Sequence, residues 1–131
     1  MKNIILLLLI PLLTFAQKEV VVSIKTDTYP SETRWVLYAD SFQGPVLEEV
    51  QYGHYSVPNV MNYDTLLIAD SIDFISWVIY DSYGDGITNG EYYVTICNDT
   101  IVNYPVSTFT TGLIHNRVVP QCMPQPPPVQ L

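Results

Sequence analysis

The residues best suited to chemistry in this chain are carboxylates in a tight turn. Asp81-Ser82-Tyr83-Gly84-Asp85-Gly86-Ile87 sets two acids four residues apart with glycines at Gly84 and Gly86. Such a segment can bend sharply and aim several oxygens at one centre. A hard cation such as Ca²⁺ makes that demand, because it takes about six to eight oxygen ligands. Asn89 and Glu91 add oxygens close by. The spacing is not that of an EF-hand, which needs a glutamate at the twelfth position. On spacing alone, an Asp-Gly beside a second glycine is also an ordinary β-turn.

Other chemistry is thinly supplied. The chain holds two histidines and two cysteines. His54, in Gln51-Tyr52-Gly53-His54-Tyr55, and His115, in Leu113-Ile114-His115-Asn116, belong to no zinc or triad signature. Paired carboxylates for glycoside cleavage are conceivable among so many acids, but the best of them sit in a turn that a cation explains better. No catalytic residue is assigned, and the chain is expected not to be an enzyme. Thirteen acids face five bases, a formal charge of −8. Nucleic acid and anionic membrane surfaces both need a basic footprint, so this balance argues against either as partner.

The elements that position these residues are strands. Of the 131 residues, 48% are hydrophobic and 12% aromatic, including ten tyrosines, so one domain with a real core is affordable. Short runs rich in Val, Ile, Tyr, Thr and Trp recur between turn residues, and helical periodicity is nearly absent. Strands are expected over about 19–26, 34–38, 46–50, 52–57, 65–69, 73–80, 91–97, 101–104 and 109–119. Seven to nine strands at this spacing predict an all-β, antiparallel β-sandwich or jelly-roll-like fold over residues 17–119.

The two ends read differently. Residues 1–16, MKNIILLLLIPLLTFA, pair one lysine with an apolar stretch and a small-residue end. That is the layout of a signal peptide cleaved between Ala16 and Gln17. The apolar run is short of the roughly 20 residues of a spanning helix, and no cysteine stands at the cleavage point for a lipid anchor. The product is expected outside the cell, at its surface, or in the periplasm. Export makes Cys97 and Cys122 a candidate disulfide. Residues 120–131, PQCMPQPPPVQL, hold five of the ten prolines and no charge. They read as an extended tail, either a stiff spacer or a partner-binding peptide.

Two motifs in order carry a resemblance. Thr26-Asp27-Thr28-Tyr29-Pro30-Ser31-Glu32-Thr33-Arg34-Trp35 is followed some 45 residues later by Tyr80-Asp81-Ser82-Tyr83-Gly84-Asp85-Gly86-Ile87. Together they resemble a β-sandwich accessory module of secreted bacterial proteins, often appended to exported proteases and to proteins leaving by the type IX route. The likeness covers about residues 20–97. Members often carry cysteines just after the glycine-rich turn, where this chain has Thr88-Asn89-Gly90. The resemblance implies a non-catalytic accessory or adhesive domain. Its two motifs nominate Asp27, Glu32, Asp81 and Asp85 as one Ca²⁺ site.

Two functions follow as expectations. One is a secreted or cell-envelope module that binds a protein or carbohydrate at the surface. The alternative is a small structural subunit of a larger envelope assembly, docked through strand edges. Tyr29, Tyr52, Tyr55, Tyr63, Tyr83 and Tyr104 fall near predicted turns or strand ends and supply either stacking faces or plugs for the sandwich ends.

Overall fold

The computed structural model describes residues 16–105 and 108–123. The predicted signal segment, apart from Ala16, and the last eight residues of the proline-rich tail lie outside the described residues. Eight strands follow one another: β1 (Gln17–Lys25), β2 (Thr33–Ala39), β3 (Val46–Val50), β4 (Met61–Ala69), β5 (Phe74–Asp81), β6 (Glu91–Ile96), β7 (Asp99–Tyr104) and β8 (Gly112–Val118). They form two antiparallel sheets, ordered β4-β1-β6-β7 and β3-β2-β5-β8, packed as a sandwich. The predicted fold class is therefore the observed one.

Period-two patterning sets the inward rows. Val20, Val22 and Ile24 on β1, with Tyr92, Val94 and Ile96 on β6, are completely buried. They meet Trp35 and Leu37 on β2 and Ile75, Trp77 and Ile79 on β5, also completely buried. The central strands are thus the most apolar ones. Trp77 joins the layers, with its ring 6.4 Å from that of Trp35 and 5.1 Å from that of Tyr92. Lys18 continues the inward row of β1, and its ammonium donates to the Ile72 carbonyl at 3.2 Å beside Asp70.

Two expectations about strands need correction. Tyr52–Val57 is a loop, not a strand, because Gly53 turns at φ +84° and Asn59 at +59°. Its aromatic alternation reflects Tyr55, whose ring turns into the core. β4 begins at Met61 rather than 65, since Met61 to Asp64 pair with Lys25 to Val22 of β1. That partner, not local hydrophobicity, extends the strand.

β6 and β7 are joined by Cys97-Asn98, both at positive φ (51° and 68°), as a two-residue type I′ hairpin requires. Cys97 there forms a disulfide with Cys122, with Cα atoms 5.5 Å apart. The predicted pairing is present. An oxidising compartment suits it, and no described helix is long and apolar enough to cross a membrane.

His115 lies inside the sandwich, stacked on Trp77 and within 2.8 Å of the Tyr92 hydroxyl. Burial, then the charge of Arg117, lowers its pKa from 6.5 to about 4. The folded state holds the neutral ring, so the unfolded chain takes up the proton first. Stability is therefore expected to fall as pH drops from about 6.5 towards 4, by on the order of 2–3 kcal/mol. Denaturant unfolding across that window checks it, and His115→Gln should flatten the slope.

Candidate functional site

Both acidic motifs sit at one end of the sandwich, and the register explains why. Thr33 of β2 pairs with Asp81 of β5, and Lys25 of β1 pairs with Glu91 of β6. The connections 25–33 and 81–91 therefore cross the same end, each passing from one sheet to the other. The Ser82 amide donates to the Glu32 carbonyl at 3.0 Å and ties them together.

The turn itself is organised by Asp81. Its Oδ2 accepts the backbone N–H groups of Gly84, Asp85 and Gly86 at 2.6, 2.8 and 3.1 Å. Gly84 and Gly86 lie at φ +97° and +71°, where a side chain would be strained. Three donors on one oxygen fix the orientation of a carboxylate that is almost fully buried. Ile87 then plugs the core beneath the turn.

Glu32, Asp81 and Asp85 each bring a carboxylate oxygen within 4.8 Å of the others. This acidic cluster can hold a metal ion. Asp27 stands apart from the three, and its Oδ1 accepts the Tyr29 amide at 2.8 Å, closing a local turn. Its charge still reaches Glu32. The Glu32 carboxyl is raised above its ordinary value by partial burial first, then by the charges of Asp81, Asp85 and Asp27. Like charges at about 4 Å cost roughly 1–4 kcal/mol per pair outside the deep interior, and a bound cation would remove that cost.

A second constellation escaped the sequence reading. Trp35 Nε1–H donates to the Tyr55 hydroxyl at 2.8 Å, and that hydroxyl donates to Asp64 Oδ2 at 2.5 Å. Asp64 Oδ1 lies 3.5 Å from His54 Nε2. The relay opens into a cleft of about 560 Å³ between the outer strands β3 and β4. The sequence carried no local signal for it, since Asp64 precedes the expected strand start at 65 and faces inward only because it pairs with Val22 of β1. Of the six tyrosines near turns, Tyr55 is buried, Tyr104 is half-buried, and Tyr29, Tyr52, Tyr63 and Tyr83 are exposed.

Compared with known protein families, characterised proteins and solved structures, the chain matches none of them. The class that fold and site define is a disulfide-stapled antiparallel β-sandwich domain with an acidic cluster at one end.

Proposed function

We propose that this is an exported, non-catalytic β-sandwich binding module whose acidic end is stabilised by calcium. The observation that carries this reading is the convergence of Glu32, Asp81 and Asp85, from two separate connections, around a turn already organised by Asp81. Three carboxylates match the oxygen-only preference of Ca²⁺, with Asn89 or water filling the remaining positions. Asp27 then acts on the site through its charge. The Cys97–Cys122 bridge supports an extracytoplasmic setting, as does the likeness to secreted accessory modules. The ligand is a protein or carbohydrate at the cell surface or envelope, bound on the sandwich rather than transformed by it.

Thermal unfolding of residues 17–131 tests the reading. All eight strands lie in this span, so it carries the whole fold. Calcium at 100 times its dissociation constant adds about 2.7 kcal/mol, a rise of roughly 10 °C for a domain this size, relative to chelator. Asp85→Asn and Glu32→Gln should each abolish most of that rise. With chelator, the raised Glu32 carboxyl favours the folded state at acid pH and loses that contribution as pH climbs past its ordinary value. Saturating calcium should reverse the sign of this dependence, because a cation that binds the ionised carboxyl makes the unfolded chain take up the proton first. Equal melting temperatures with calcium and chelator would reduce the cluster to an ordinary turn.

A second reading, a structural subunit of an envelope assembly, is favoured by one observation. β3 and β4 are each an outer strand of their sheet, on the same flank of the sandwich, and both leave an edge open for pairing.

A further inference from the structure

We propose that the flank between β3 and β4 docks an extended segment of a partner protein carrying lysine or arginine, which adds as a fifth strand to β4 and inserts a basic side chain into the acidic cleft. This rests on reading the chain as a binding module, and it does not depend on the cation site.

The first observation is the edge itself. β4 offers nine residues, Met61 to Ala69, with no lysine, arginine or proline among them. Those are the residues that commonly keep free edges from pairing. The outward row presents Tyr63 (69% exposed) and Leu67 (58%), apolar partners for the side chains of an added strand. A free edge asks for backbone donors and acceptors, which a peptide supplies and a sugar does not.

The second observation is the cleft immediately inside that edge. Register turns Asp64 and Leu66 of β4 inward with Val22 and Val20 and Val50 of β3 inward with Trp35, while Glu48, opposite Leu37 beside a bulge, stays exposed at the rim. The cleft is therefore an opening of the core flank, with Trp35 and Leu66 in its wall and carboxylates at its mouth. Arg34 neutralises Glu49 at 3.1 Å. Among the described residues, neither Glu48 nor Asp64 has an ion pair with a lysine or arginine. A lysine or arginine fits this lining, with its methylenes along the apolar wall and its head at the carboxylates. Tyr52, also on the lining, adds a ring face for the cation.

The same carboxylates explain selectivity. Acids at an edge repel an unselected strand, and a chain of formal charge −8 disfavours a second copy of itself. A basic strand turns that repulsion into attraction, so one feature both blocks wrong partners and admits the right one.

The test is fluorescence anisotropy of residues 17–131 with a labelled nine-residue peptide alternating lysine with threonine and valine, against its glutamate counterpart. The lysine peptide should bind saturably, at least tenfold tighter than the glutamate peptide, and weaken with salt. Glu48→Gln, an exposed change that spares the fold, should weaken it about fivefold. Leu67→Lys, which charges the edge, should weaken it tenfold or more. Equal binding of both peptides, indifference to both substitutions, or no saturation at millimolar peptide would overturn the proposal. So would sedimentation showing dimers that Leu67→Lys disperses without any peptide binding, which would assign the edge to self-pairing. Measuring the calcium response of Glu48→Gln in parallel separates the readings. A retained response with failed peptide binding sinks the docking inference alone.

Discussion

Tyr55→Ala is expected to lower the unfolding free energy by about 4–8 kcal/mol, the largest loss foreseen for any single substitution in this chain. Two causes add. The ring is 3% exposed and belongs to the core cluster, and truncating a large buried side chain costs roughly 3–5 kcal/mol through lost transfer energy and the cavity left behind. The hydroxyl also sits between the Trp35 N–H and Asp64, so its removal strands a buried donor, a penalty of about 1–3 kcal/mol. Burial first, then the hydrogen bond to Asp64, pushes the phenol well above its usual pKa. The group therefore stays a donor throughout the physiological range. Tyr55→Phe keeps the ring and isolates the polar part, for which about 2 kcal/mol is expected. Urea unfolding of both variants decides it. If Tyr55→Phe matched the parent protein, the relay would be incidental geometry, and the loss in Tyr55→Ala would be packing alone.

The second large effect is loss of the disulfide. Cys97 and Cys122 are separated by 25 positions. Closing a loop of that size removes about 3.5 kcal/mol of conformational freedom from the unfolded chain in the entropy model. Replacing both cysteines by serine should cost about that much and should equal the effect of a reductant on the parent protein. The expected damage is local as well as global. Val119 is tied by its amide to the Asp73 carbonyl, and from there to Cys122 the bridge holds the chain. Hydrogen exchange should report faster opening of residues 119–123 than of β5 or β6 in the serine variant. A midpoint unmoved by reductant would mean that packing alone fixes this segment.

Much of the fold was legible because its signals are local. Val20, Val22 and Ile24 form one row of a β-branched run whose other row ends in Ser23 and Lys25, and the apolar run from Phe74 to Tyr80 has residues buried on both faces, so period two and length identified both strands. The shared end of the two acidic motifs was legible only through resemblance, since nothing within either segment says that Thr33 will pair with Asp81. Asp27 lies in the motif but outside the group of three, and its Oδ1 accepts the Tyr29 amide two residues on. The Tyr55–Asp64 relay was hidden for another reason. Tyr55 stands in a loop read as a strand, and Asp64 in a stretch where strand character is lent by β1. Long-range partners, rather than residue types, create that constellation.

The place of β1 has a consequence for how the molecule is made. It is the first of the described strands and an inner strand of its sheet, flanked by β4 and β6. Its first neighbour, β4, begins only at Met61 and is complete only at Ala69, and its second neighbour waits for Ile96. β2 pairs at once with β3, but its second neighbour waits for β5. Whichever machine delivers the chain amino end first, neither sheet can be completed strand by strand behind it. Folding becomes a late, collective step dominated by distant pairings, of the kind that takes milliseconds to seconds. Through that interval the Val20, Val22 and Ile24 row stays uncovered. An apolar row left open for that long exposes the unfinished chain to aggregation.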